Sequence, residues 1–194
     1  MPGPLLVFLA TLGYGTLHSL LASLWVKSAV RKRCGPLTDR LYRFVFNAVA
    51  VVTLLPFLAV LVRNIGPVLV KVPWPWWAFV EAGQIAALGL LVAGFLQSDP
   101  SHFLGLRQMG DTGADTRLTT TGAYALVRHP MYTFGLLVLW CFPIITTGTL
   151  AFNIGITLYI LVGSEWEERR LIAQFGEDYL RYRAKVARLI PYLF

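Results

Sequence analysis

The chain has 194 residues, of which 56% are hydrophobic and 14% charged, with a formal net charge of +7 and a mean hydropathy of +0.62. A soluble domain carries about a quarter charged residues, so this composition excludes an ordinary soluble enzyme. The positive surplus is gathered in particular loops and gives no ground for a nucleic-acid partner.

Residues 1–26 carry no charge, and neither do 44–62 or 82–98. A hydrocarbon core of roughly 30 Å needs about 20 helical residues per crossing, so each run predicts a membrane span. The first run has no basic stretch ahead of it and reads as a retained span rather than a cleaved signal peptide. From Met131 to Ser164 there are 34 residues without Asp, Glu, Lys or Arg, interrupted by "FPIITTG" with Pro143 and Gly148 as breakers. This predicts a tight helical hairpin of two short helices. The expectation is an all-α polytopic membrane protein of about five transmembrane helices, a C-terminal hairpin and a tail helix, built as one domain over 1–194.

The seventeen Lys and Arg residues sort sharply between loops: alternate segments hold fifteen against two. The first loop alone carries Lys27, Arg31, Lys32, Arg33, Arg40 and Arg43. The positive-inside rule then predicts a cytoplasmic first loop, third loop and tail and an external N-terminus. Anionic lipid accounts for the positive charge. "PWPWW" (73–77), in the sparsely charged second loop, reads as an aromatic belt at the outer interface. In the third span Gly83, Ala87 and Gly94 share about one face, which lets a neighbouring helix or a ligand approach closely. Cys34 and Cys141 fall in different regions and predict neither a structural disulfide nor a metal site.

The third loop is long and rich in Gly, Thr and Asp, a pattern associated with function. Its "HFLGLRQ" places His102, Arg107 and Gln108 beside the membrane, either at a substrate site or against lipid phosphates. The loop ends in "ALVRHPMYTFG" (125–135). Pro130 suits the first position of a helix, with His129 as N-cap and free backbone N–H groups just beyond. Such a helix start attracts anions, and Arg128, His129 and Tyr132 add side-chain donors. The alternative is that Arg128 meets lipid headgroups and His129 only caps the helix.

After the hairpin comes "SEWEERR", with Glu165, Glu167 and Glu168 at the end of the last span. Part of this is an i,i+4 ion pair from Glu165 to Arg169, and part complements a helix dipole. The hairpin nevertheless returns these carboxylates to the membrane face that carries Arg128 and His129. Facing cationic and anionic clusters suit a zwitterion such as S-adenosylmethionine, whose methyl transfer depends on aligned placement in a dry site. That chemistry requires no metal and no covalent nucleophile.

Together the two motifs resemble the isoprenylcysteine carboxyl methyltransferase and phospholipid methyltransferase superfamily. The resemblance is carried by Arg128, His129, Pro130 and Tyr132, by Glu167 and Glu168, and by a tail with Phe175, Gly176, Tyr179, Tyr182, Arg188 and Pro191. The longer stretch "FLGLRQ…LTTTGAYALVRHPMYTFGLLVLWCFPIITTGTLAF" and "HSLLAS" (18–23) look most like bacterial methanethiol S-methyltransferases. The resemblance implies an S-adenosylmethionine site within about 118–194, bound by His129, Pro130, Tyr132, Glu167 and Glu168. It also implies a small thiol or lipid-like acceptor arriving through the bilayer. His18, Arg107 and Arg128 are the catalytic candidates, with His102 and Gln108 near the acceptor. A thiolate would be the nucleophile, its charge stabilised by Arg107 or Arg128. A buried ionisable residue in a span makes His18 a functional suspect, although it could equally be a packing residue. Two other classes stay open. His18 and His129 could ligate haem in a membrane isomerase or nitrogen-oxide-related protein, or both motifs could decorate a scaffold.

Overall fold

The structure is a computed structural model that describes residues 2–104, 106 and 117–193, the side chains of His102 and Phe103 excepted. The chain is almost entirely helical. Four helices are long and apolar enough to cross a membrane. They are α1 (Gly3–Ala22), α3 (Leu37–Arg63), α4 (Trp76–Gln97) and α8 (Thr147–Phe175). Their outer faces carry many exposed leucines, valines and tryptophans, as expected where the solvent is lipid.

The fourth apolar run does form a hairpin, but an unequal one. Its first arm, α7 (Pro130–Trp140), has 11 residues and rises about 16 Å, half a crossing. The remaining distance is covered by extended chain, because Pro143 cannot continue a helix and Ile144–Thr146 form a short strand β2. β2 pairs antiparallel with β1 (Val68–Lys71) from the second loop, matching Lys71 to Ile144 and Val68 to Thr146. The second arm, α8, is not short. It has 29 residues and begins with a capping box between Thr146 and Thr149. Gly148 is therefore not a breaker but a contact point in the first turn of α8. A Cβ there would lie 2.3 Å from the Asn64 carbonyl oxygen.

The two ends of the bundle are chemically distinct. At one end the two sparsely charged connections meet in the β1–β2 ribbon. At the other, Asn47 of α3 donates to the Leu104 carbonyl at 3.0 Å, tying the first positive region to α5 (Pro100–Leu104). The loop alternation read from Lys and Arg is thus a true division between two faces. An element absent from the sequence expectations also lies on the positive face: α2 (Leu24–Cys34), capped by Ser23 and stopped at Gly35.

α1 runs parallel to α8 and packs closely against it. Gly15 lies under the Tyr159 ring, where a Cβ would come within 2.6 Å. Tyr14 donates to the Ala50 carbonyl of α3 at 3.1 Å, joining the third member of the group. α4 packs on α7, with Gly94 facing Pro130 and Ala123. Of the expected small-residue face, Ala87 and Gly94 are buried as predicted, whereas Gly83 meets no neighbour. Both cysteines are free.

Candidate functional site

The site forms where α7 begins and α8 ends. Glu165 lies 18 residues beyond Thr147, about 27 Å along α8, so the acidic turn emerges at the positive face. Pro130 sits at the first position of α7 with His129 as its N-cap, as the sequence implied. The basic and acidic turns meet directly.

Arg128 is buried and its Nε donates to Glu168 Oε1 at 2.7 Å. Its Nη1 donates to the carbonyls of Arg183 (3.1 Å) and Val186. Glu168 is 1% exposed, and its second oxygen faces Arg183 Nε at 3.5 Å. Two buried charges survive here because each has an opposite charge and further hydrogen bonds. The tail after α9 (Glu177–Arg183) is strapped across this pair. The Arg128 N–H donates to the Ala187 carbonyl at 2.8 Å, the His129 N–H to Arg188 at 3.2 Å, and the Thr133 hydroxyl to Leu189 at 2.7 Å. The expected open helix start therefore faces the carbonyls of its own tail, because the tail turns back over α7.

His129 stands between the two glutamates. Its Nδ1 is 3.6 Å from Glu167 Oε2 and its Nε2 is 3.4 Å from Glu168 Oε1, although Nε2 makes no hydrogen bond among the described residues. Burial lowers the His129 pKa below the usual histidine value, against the opposing pull of the Glu167 and Glu168 charges. The ring is neutral near pH 7. Tyr132 stacks on it at 5.4 Å between centroids and donates its hydroxyl to Glu167 Oε2 at 2.8 Å.

Glu167 differs from Glu168. Its side chain is 43% exposed, and among the described residues only Oε2 takes a hydrogen bond. The two adjacent carboxylates divide by helical direction: Glu168 points into the strapped tail, Glu167 toward Tyr132 and His129 with its side chain half-exposed.

Several participants were not singled out by sequence. Arg183 contacts Glu168 from the tail helix. Arg170 lies within electrostatic reach of Tyr132, and its spacing of three from Glu167 was the available signal. Tyr124, in the short helix α6 (Ala123–Leu126), accepts Tyr182's hydroxyl on its carbonyl at 2.6 Å. Burial pushes the pKa of the Tyr182 hydroxyl up to about 12 and raises that of Tyr179, which is buried and has no hydrogen-bond partner for its hydroxyl among the described residues.

The structure thus brings together Arg128, His129, Pro130, Tyr132, Glu167 and Glu168. His18 is placed elsewhere: it packs on Phe46 of α3 at 4.8 Å between ring centroids and beside Tyr14. Arg107, Gln108 and the side chain of His102 lie outside the described residues.

Comparison with known proteins gives the same picture. The phospholipid methyltransferase family matches residues 85–178, which contain both motifs. Methanethiol S-methyltransferase 2 of Bradyrhizobium diazoefficiens is 38% identical over 138 residues, covering 63% of this chain and 52% of that protein. Methanethiol S-methyltransferase of Pseudomonas deceptionensis is 40% identical over 111 residues, covering 54% and 41%. Protein-S-isoprenylcysteine O-methyltransferase of Xenopus laevis is 34% identical over 82 residues, covering 39% and 27%. The matches span about half the length of the first of these curated relatives and less of the others. No solved structure matches the chain significantly. Through the matched segment, which holds the meeting of the basic and acidic turns, this integral membrane protein is similar to the phospholipid methyltransferase family.

Proposed function

We propose that the protein is an S-adenosylmethionine-dependent membrane methyltransferase acting on a small thiol such as methanethiol, or on another lipophilic acceptor. The observation that carries this reading is Glu167. It is a half-exposed carboxylate pinned by Tyr132 beside His129, inside the segment that matches the family. When bound, the cofactor supplies an electrophilic methyl group on a sulfonium.

The residues present fit that ligand. Glu167 retains an oxygen to accept hydrogen bonds from an ammonium or a ribose hydroxyl, and a second charge-assisted bond there is a strong one. Among the described residues His129 offers a buried Nε2 without a hydrogen bond, and Tyr179 a buried hydroxyl without one. Arg128 and Glu168 satisfy each other, so Arg128 acts as the positioning residue that holds the tail and the His129 backbone. Arg170, exposed and near Tyr132, is then the cation available to a carboxylate. Arg107 and Gln108, three and four residues beyond α5 in the chain, stay our candidates on the acceptor side with His102 and His18. The cofactor enters from the positive face, taken as cytoplasmic in a bacterial inner membrane, and the acceptor enters from the bilayer.

The family match makes a phospholipid or isoprenylcysteine-type acceptor the second reading. Haem ligation is disfavoured because both His129 ring nitrogens face carboxylates. Membranes containing the protein, supplied with radiolabelled methyl donor and methanethiol, should yield a labelled volatile thioether. Label confined to lipid would select the second reading. No saturable binding of S-adenosylmethionine by calorimetry would end both.

A further inference from the structure

α2 and α3 leave a cleft between them on the positive face of the bundle, lined by none of the residues that meet in the site above. Its volume is about 310 Å³, within the range of small-molecule sites. α2 lines it with Val26, Val30 and Cys34, a spacing of four that keeps one helical face. α3 answers with Leu41, Val45 and Val49. The lining includes buried Thr38, whose hydroxyl has no partner among the described residues. None of the lining residues has a role in the methyltransferase reading, although one of them, Phe46, packs on His18.

What surrounds it identifies an occupant. Residues 27–40 carry five cations against a single carboxylate, Asp39. Asp39 already faces Lys27 at 3.8 Å and Arg31 at 3.2 Å, so the remaining charge there is positive. Leu24 and Trp25, about 70% and 71% exposed, place the start of α2 at the headgroup boundary. The apolar window of α3 is only 6% buried within the protein, so lipid is what covers it. An interfacial helix with a basic end beside an apolar cleft opening toward the bilayer suits a molecule with one anionic phosphate and a hydrocarbon chain.

We propose that this cleft is a binding site for an anionic phospholipid, with an acyl chain between α2 and α3 and the phosphate at the basic turn formed by Arg31, Lys32 and Arg33. The chain covers the facing valines, and the headgroup neutralises cations that otherwise repel across the turn.

The test is native mass spectrometry of the full chain, released from detergent with equal phosphatidylglycerol and phosphatidylcholine of matched chains. Phosphatidylglycerol should be retained in preference. Lys32→Ala and Arg33→Ala should each reduce that preference about fivefold. Val30→Trp, which fills the cleft, should reduce retention of both lipids. In the wild-type protein, phosphatidylglycerol should slow alkylation of Cys34 by N-ethylmaleimide, read by peptide mapping, more than phosphatidylcholine does. Equal retention of the two lipids would mean ordinary bilayer contact and overturn the proposal. A headgroup preference that survives Val30→Trp with Cys34 unprotected would mean a lipid on the basic surface alone, and would overturn it too. Displacement of the lipid by added methanethiol would reassign the cleft to the acceptor. Should Val30→Trp fail to fold, the protection of Cys34 decides.

Discussion

Arg128 Nε and Glu168 Oε1 are 2.7 Å apart, both buried, and 40 residues apart in sequence. This pair closes the hairpin at its open end and fixes the tail through the carbonyls of Arg183 and Val186. Removing one partner leaves the other charge buried and uncompensated. Arg128→Ala or Glu168→Ala should each destabilise the protein by about 3–5 kcal/mol. Thermal unfolding in detergent measures this. The double variant Arg128→Met with Glu168→Leu should be more stable than either single one, since no orphaned charge remains.

Glu167 should behave oppositely to its neighbour. Its carboxylate is half-exposed, so Glu167→Gln should change stability by no more than about 0.5 kcal/mol. Loss of the charge-assisted bond to a cofactor ammonium or ribose should weaken S-adenosylmethionine binding by about 10- to 100-fold, equivalent to roughly 1.5–3 kcal/mol. Calorimetry on the two variants separates the roles. Wild-type affinity in Glu167→Gln would remove this residue from the site.

Stability should fall on mild acidification through His129. Burial holds its folded-state pKa below the unfolded value of about 6.5. The unfolded chain therefore takes up the proton first as pH drops. The His129 contribution is complete above about pH 6.5, declines as pH falls from there toward the lowered folded value, and is flat below it. Unfolding midpoints between pH 7.5 and 5.5 should show this slope. His129→Gln should flatten it.

Glycine contacts should set the tolerance of the bundle to added methyl groups. Gly148→Ala directs a Cβ at the Asn64 backbone carbonyl, which cannot rotate away, so a loss of about 1–3 kcal/mol is expected. A Cβ at Gly135 in α7 would meet nothing within 4 Å among the described residues. Gly135→Ala should be neutral or stabilising by about 0.5–1 kcal/mol, the ordinary helical gain. Melting temperatures of the two variants, compared side by side, check the contrast.

Much of this architecture was readable in the residue order. Charge-free runs mark the spans because a bilayer excludes charge, and the alternation of Lys and Arg separates the two faces before any folding is considered. The pairing of an Arg-His-Pro-x-Tyr turn with a Glu-Glu turn was legible for the same reason: a hairpin must return to the face it left. Pro130 and His129 occupy the helix start as local backbone rules require.

Other features depended on contacts between distant segments. The sequence marks Pro143 as the end of a helix, but only pairing of β2 with β1 turns the following residues into a strand. It shows adjacent glutamates but not that α8 turns Glu168 into the strapped tail and leaves Glu167 half-exposed, a difference of 100° around one helix. It offers Arg128 as a ligand for an anion, whereas the returning tail engages that side chain and sets its role as a clamp. Composition and spacing determined where the chain crosses the membrane and which ends meet, since those depend on solvation of single segments. Which charge pairs with which was decided by tertiary packing, because a buried ion selects the partner that folding brings within about 3 Å.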